Sequence, residues 1–333
     1  MGIFSRKQAP AQVSTDGLLL DRGWADPELD AAFEAVRKGD LAVGLELLKA
    51  TEPNTDQRSI RVGGLGEAAT GRSEQLELFL EAAPGDPDLL LWLGRVLVSE
   101  AWEVRSGKRA KEVSDQQFAT FHDILATAGA VVNTAIDQAP DDASPWDVLQ
   151  WIALGLQASP EDKDHIFRSA CERQPDSYAA HSGRVQVLAP KWSGRDIAEL
   201  VRFGDETVSK AKPGAVLNSV LGMVAAEVWI DVLSDSELTK LQRGARYTRE
   251  ITNRKDALLA ASAKWLIPGR APQAADISGH GTMAFALMKA GAKQAAMDHA
   301  TLTQGRIESL PWGYSGGDDP LMTYATAVAK QMA

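Results

Sequence analysis

The stretch EAAPGDPDLLLWLGRVL, residues 81–97, decides the fold, because a near copy follows as ERQPDSYAAHSGRVQVL, residues 172–188. Each stretch runs from a Pro/Asp turn into a helix-forming segment that carries Gly-Arg-Val. Proline and aspartate are typical of the end of one helix and the start of the next. A turn and helix that recur along a chain indicate a repeated helical unit.

Helical periodicity continues outside the two stretches. A capping box at Ser114 and Gln117 predicts the start of one helix. Another helix is predicted from an apolar stripe with helical spacing, formed by Leu217, Leu221, Val224, Val228 and Val232. Glycine and proline breakers recur at intervals of roughly 12 to 25 residues, and no alternating segment of useful length predicts a strand. We therefore expect an all-α fold of about 12–14 antiparallel helices that stack on one another.

The helical units resemble the tetratricopeptide repeat, which has a period of about 34 residues. Leu90-x-x-Leu93-Gly94 and Trp151-x-x-Leu154-Gly155 match its large-x-x-Leu-Gly signature, and Ala179-x-x-x-Gly183 is a weaker copy. In that repeat the glycine allows two helices to approach closely. The resemblance implies a right-handed superhelix (α-solenoid) with a concave groove.

The chain is also similar to uncharacterised actinobacterial helical proteins. The shared features are Glu100-Ala-Trp102-Glu-x-Arg105, Phe118-x-x-Phe121-His122, Pro145-Trp146 and Pro190-Lys-Trp192. Residues 1–25 lack a periodic apolar face and predict a flexible tail. Residues 26–333 predict a single elongated helical-repeat domain, with residues 190–214 as a candidate point of subdivision.

The amino-acid composition and charge argue against several classes of protein. The net charge of −10 argues against a nucleic-acid-binding protein, which needs a basic surface. One cysteine excludes an internal disulfide framework. The most apolar run, residues 215–233, contains Asn218, Ser219, Glu227 and Asp231, too many polar groups for stable membrane insertion. No secretory signal is recognisable, so we expect a cytoplasmic protein.

Motifs for cofactors or metals are weak. Gly64-x-Gly66 and Gly279-x-Gly281 match part of a dinucleotide fingerprint, but neither follows a buried strand. Close helix contacts explain these glycines better. Asp164-His165 with Glu172 is the nearest approach to a metal site, but adjacent helical residues point in different directions. We expect no cofactor, no metal and no catalytic motif.

Two arginines are candidate binding residues. In tetratricopeptide repeats the residue after the signature glycine faces the groove, and here that residue is Arg95 or Arg184. An arginine fork suits a carboxylate, so the groove is expected to bind a protein or peptide partner through an acidic segment or a chain-terminal carboxylate. The alternative is that each arginine pairs with an acid of its own chain.

Other candidates for partner binding are Arg105, His122, His181, Trp192 and Trp312. Trp192 and Trp312 lie in predicted loops, where an exposed indole could contact a partner. His122 is predicted on an apolar face with a glutamate partner from the preceding helix. The main hypothesis is a non-enzymatic scaffold. The alternative is an enzyme or small-molecule-binding protein with a pocket around Glu100, Arg105, His122 and His181.

Overall fold

The computed structural model describes residues 13–105, 114–193, 196–315 and 319–332. Within these ranges the chain is almost wholly helical, which confirms the prediction of an all-α fold. Turns and loops join the helices, and the described ranges also contain two short strands, β1 (Leu19–Leu20) and β2 (Arg306–Ile307), which pair in parallel.

The first half of the chain contains nine helices in the described ranges. They are α1 (Pro27–Arg37), α2 (Leu41–Lys49), α3 (Asp56–Ala68), α4 (Ser73–Ala82), α5 (Pro87–Arg105), α6 (Asp115–Gln138), α7 (Ser144–Gly155), α8 (Pro160–Arg173) and α9 (Tyr178–Leu188). Pro84, Pro140 and Pro175 each lie between two helices, as predicted. The capping box of Ser114 and Gln117 opens α6, also as predicted.

The second half is divided more finely. It contains α10 (Pro190–Ser193), α11 (Ile197–Lys210), α12 (Val220–Ser234), α13 (Lys240–Glu250), α14 (Lys255–Trp265), α15 (Asp276–Lys289), α16 (Lys293–Leu302), α17 (Ser309–Trp312) and α18 (Pro320–Met332). Single 3-10 turns precede α12 and α14. The described ranges thus hold more helices than the 12–14 predicted. One reason is that the turn between α12 and α13 contains neither glycine nor proline.

Helices that follow one another in the chain pack as pairs, as seen for α1 with α2, α5 with α6, α7 with α8, α11 with α12 and α15 with α16. A central row also forms, in which each member packs against the next, in the order α1, α3, α5, α7, α9, α12 and α15. The signature glycines lie at contacts with α6, Gly94 from α5 and Gly155 from α7. A Cβ on Gly94 would lie 2.3 Å from Val132 Cγ2, and one on Gly155 would lie 2.3 Å from Leu125 Cδ1.

The two halves of the chain meet near its ends. Strand β1 lies beside β2, and Arg306 Nη2 forms an ion pair with Asp30 Oδ2 at 2.6 Å. Trp24 is buried and donates from Nε1 to Asp30 Oδ1 at 2.9 Å. Within the predicted tail of residues 1–25, β1 pairs with β2 and Trp24 is buried, whereas the side chains of Leu19, Leu20, Asp21 and Ala25 are exposed. Residues 1–12 of that tail lie outside the described residues.

Buried side chains form two hydrophobic clusters. One runs along the chain from Trp24 to Ile152, and the other from Tyr178 to Tyr324. Ile60 on α3 packs against both clusters. The site described next lies where the two halves face each other.

Candidate functional site

Arg184 is paired within its own chain. Its guanidinium forms an ion pair with Asp164, and it lies 5.5 Å from the centre of the Phe167 ring. Arg184 itself is buried. This arrangement matches the alternative in which the arginine pairs with an acid of its own chain, although Arg184 Nη1 is buried without a hydrogen-bond partner among the described residues.

The position of His122 contradicts the prediction of a buried imidazole with a glutamate partner. His122 is exposed on α6, where its ring is tilted against those of Phe121 and Phe118, with ring centres 5.4 and 6.1 Å away. The buried stripe of α6 passes through Phe121 and Leu125 instead. Glu100 has another role, because its Oε1 accepts hydrogen bonds from the backbone N–H groups of Gly71 and Ser73 at 2.9 and 3.1 Å.

His181 and Arg105 have separate surroundings. His181 stacks on Phe203, and burial lowers the pKa of its imidazole. The guanidinium of Arg105 lies 5.4 Å from the Trp102 ring and 4.9 Å from the Trp192 ring. The four residues of the predicted enzyme pocket, Glu100, Arg105, His122 and His181, therefore contact different sets of residues.

The two loop tryptophans are both in short helices. Trp192 is half-buried in α10, with its ring centre 5.3 Å from that of Trp102. Trp312 in α17 is only 2% exposed and packs edge-on against Phe285 and Tyr324. The prediction of an exposed Trp312 is wrong, because its indole is part of the core.

The suspected metal and dinucleotide motifs have structural explanations. Asp164 pairs with Arg184, and His165 lies edge-on to the Trp146 ring. Among the described residues, no group of three or more His, Cys, Asp or Glu side chains could hold a metal ion. Gly279 packs closely against Ser219.

A cavity of about 350 Å³ lies between α3, α5, α9 and α15, and we call it the Arg95 chamber. Its wall includes Asp21, Trp24, Ser59, Glu67, Arg95, Tyr178, Ser182, Ser278 and Glu308. These side chains come from both halves of the chain. The chamber therefore exists only because the chain folds back on itself.

Arg95 is the cation of this chamber. A Cβ on Gly66 would lie 2.4 Å from Arg95 Cγ, so the glycine makes room for the arginine stem. In the part of the chain that the structure describes, the Arg95 guanidinium makes neither a hydrogen bond nor an ion pair, and only the field of Glu67 favours its charge. Burial lowers the pKa of Arg95. The Arg95 side chain is half-buried, and a guanidinium partly removed from water without a partner is unfavourable, so an anion in the chamber would stabilise it.

Three polar side chains of the chamber wall, Tyr178, Ser278 and Glu308, lie within hydrogen-bonding distance of one another in sequence. Ser278 Oγ donates to Glu308 Oε2 at 2.7 Å and lies 3.4 Å from the hydroxyl oxygen of Tyr178. Burial raises the pKa of Glu308 to about 7, and the like charge of Asp21 adds to the shift. Burial also raises the pKa of Tyr178. Glu308 is therefore partly protonated near neutral pH.

A second cavity of about 350 Å³ adjoins the first, and we call it the Trp151 chamber. The two chambers share Asp21, Ser182, Ser278 and Glu308. The rest of the second wall is more apolar and includes Trp151, Met223, Ala226, Leu310 and Pro311. Its buried acid, Glu227, accepts hydrogen bonds from Gln186 at 2.9 Å and Lys191 at 2.8 Å.

Of the predicted site residues, only Arg95 lines either chamber, and it lines the first. Sequence reasoning missed Tyr178, Ser278 and Glu308, because no local motif joins residues so far apart in the chain. The signal available for Asp21 was its position beside the apolar Leu18-Leu19-Leu20 run, which marks a segment able to dock.

Among the residues that the structure describes, one helical segment, residues 216–234, is long and apolar enough to cross a membrane. Most of this segment is buried against other helices of the molecule, which is compatible with a soluble protein. No protein-family model matches the sequence, and the search of curated proteins also finds no match.

Proposed function

We propose that this chain is a tetratricopeptide-like α-solenoid that binds a protein or peptide partner, without catalysis, through a carboxylate held at Arg95. The observation that carries the proposal is the half-buried Arg95 side chain in the wall of a cavity, where its guanidinium has neither a hydrogen bond nor an ion pair within the described ranges. A planar guanidinium binds a carboxylate through two parallel hydrogen bonds. The paired helices and the central row support the solenoid arrangement.

The enzyme hypothesis has less support from the geometry. Glu100 caps a turn, His122 is exposed and His181 packs between aromatic rings, so these groups do not share a pocket. Catalysis by acid–base chemistry needs groups that converge on one reacting atom. A cytoplasmic location is part of the proposal and fits the acidic composition.

The proposal is tested with two peptide amides, Leu-Glu-Gly-Gly and Leu-Gln-Gly-Gly, which differ only in one carboxylate. We expect calorimetry to show that the wild-type protein prefers the glutamate peptide by at least about tenfold. Arg95→Met keeps the apolar stem and removes the charge, so this variant should lose the preference. Arg249→Met removes a charge from an exposed side chain and serves as the matched control.

Two outcomes would overturn the proposal. One is equal affinity of the wild-type protein for the two peptides, or binding of neither. The other is an Arg95→Met variant that folds, by circular dichroism, and still discriminates between them as the wild type does.

A further inference from the structure

Two carboxylates face both chambers without a cationic partner. In the ranges that the structure describes, neither Asp21 nor Glu308 forms an ion pair with a lysine, arginine or histidine. Asp21 is fixed by Ser309, whose backbone N–H and hydroxyl each donate to it at 2.7 Å. Glu308 uses Oε2 to accept from Ser278, while Oε1 lies against Gly23, where a Cβ would be only 2.5 Å away.

The backbone also holds Asp21 in place. Its φ is 52°, in the left-handed region, and its N–H donates to the carbonyl of Ile307 at 2.6 Å. Aspartate tolerates this conformation better than most residues, but at some cost. The Asp21 and Glu308 side chains, which we call the acidic pair, are therefore positioned side by side by β1, β2 and α17 rather than by attraction.

The same cavity also contains Arg95, an unpaired cation on a different element. The acidic pair and Arg95 do not neutralise each other, since no ion pair joins them in the described structure. By contrast, Glu227 in the neighbouring wall is neutralised by Lys191 at 2.8 Å. Asp21 is exposed, whereas Arg95 and Glu308 are half-buried. Charged groups of both signs that line one cavity without pairing favour a ligand that carries both complementary charges.

The Trp151 chamber adds an apolar surface on the far side of the acidic pair. Trp151, Met223 and Pro311 form part of its wall. An indole face also attracts an ammonium group that is held nearby by a carboxylate. The two chambers, each of about 350 Å³, have the size of small-ligand sites, so they suit a chain end or a small molecule rather than a folded segment.

We propose that the bound partner presents a free amino terminus, with its ammonium group at Asp21 and Glu308, its first, apolar side chain in the Trp151 chamber, and a nearby carboxylate at Arg95. Only the part of this inference that concerns the ligand's carboxylate at Arg95 rests on the proposed function. A free amino acid has the same pair of charges, and the experiment separates these two sources.

The test uses Leu-Glu-Gly-Gly amide with a free amino terminus and the same peptide with an acetylated amino terminus. We expect the wild-type protein to bind the free amine at least about tenfold more tightly. Glu308→Gln should reduce this preference for the free amine, because the variant keeps the shape and removes one of the two carboxylates while Asp21 remains. Glu74→Gln, which alters an exposed acid on α4, is the matched control and should behave as the wild type.

The outcomes separate this inference from the proposed function. If the acetylated peptide binds as tightly as the free amine and both depend on Arg95, the amino-terminal assignment fails while the carboxylate site stands. If Arg95→Met has no effect, the carboxylate site fails. Free glutamate is the third probe. If the wild-type protein binds free glutamate as tightly as the peptide, the ligand is an amino acid and the proposal of a peptide amino terminus fails. Asp21→Asn gives a second test, because it should weaken only the binding of the free amine.

Discussion

At the scale of single residues, the charged groups of the cavity follow from burial. The pKa of Glu308 is raised and the pKa of Arg95 is lowered, because each side chain is partly buried without an opposite charge in contact. Arg95 was predictable as a candidate because its position follows a signature glycine. Arg184 was predicted together with Arg95, and the sequence does not show that the two arginines differ. The ion pair of Arg184 with Asp164 depends on how α8 packs on α9.

Glu308→Gln should change the pH dependence of stability. The folded-state pKa of Glu308, about 7, lies above its ordinary value of 4.5. The contribution of its neutral form is therefore fully present below pH 4.5 and is lost as the pH rises to about 7. We expect the variant to exceed the wild type in free energy of unfolding by on the order of 2 kcal/mol at pH 8, and to match it near pH 4.

Urea denaturation at the two pH values measures this difference. A variant that differs from the wild type by the same amount at pH 4 and pH 8 would show that the carboxyl group is not desolvated in the folded protein.

His280 and His299 should titrate abnormally. Their Nδ1 atoms lie 2.9 Å apart, and Ser262 Oγ lies 2.8 Å from Nε2 of His299. Burial lowers the pKa of both imidazoles, so their contribution to stability is present above about pH 6.5 and is lost as the pH falls. In NMR titrations we expect both rings to remain neutral down to about pH 5. Midpoints near pH 6.5 would contradict the buried pair.

At the scale of elements, local signals set the helix starts and ends, and glycines set the close contacts. The start of α6 was predicted from its capping box. The start of α13 carries the same kind of signal in Thr239 and Gln242. This helix start was not predicted, because the helix boundaries were placed mainly at glycine and proline. The outward face of His122 shows a further limit: a phenylalanine at helical spacing does not settle which side of a helix is buried.

Gly94→Ala tests the close contact of α5 with α6. The new Cβ would lie 2.3 Å from Val132 Cγ2, so the helices must move apart. We expect a loss of about 1–3 kcal/mol in the free energy of unfolding. Gly281→Ala is the matched control, because no heavy atom lies within 4 Å of its added Cβ and alanine favours a helix. Equal effects of the two substitutions would argue against the packing.

At the scale of the whole molecule, the fold depends on contacts between residues that are distant in the chain. Ser309 bonds to Asp21, and Arg306 pairs with Asp30, so the first and last parts of the described chain support each other. No local pattern predicts such pairing, which is why residues 19–25 were assigned to a flexible tail. The helical class was predictable because it depends on periodicity alone, whereas the cavity depends on how the two halves meet.

Trp24→Ala should destabilise the entire molecule. Trp24 is 7% exposed, packs against Phe33 and donates to Asp30. Removal of a buried tryptophan side chain costs about 3–5 kcal/mol. Leu241→Ala, at a side chain that is 84% exposed, is the control and should be nearly neutral. A thermal unfolding midpoint unchanged by Trp24→Ala would mean that this segment does not dock.

The Arg95 guanidinium is the centre of the proposed binding site. The NMR signal of this group therefore tests the site most directly. The probe is Leu-Glu-Gly-Gly amide, and the signal is the Nε–H resonance of Arg95, assigned by its loss in Arg95→Met. We predict a saturable shift of this resonance with the glutamate peptide and a much smaller one with Leu-Gln-Gly-Gly amide. An Arg95 resonance that stays in place, or that responds equally to both peptides, would contradict a carboxylate bound at Arg95.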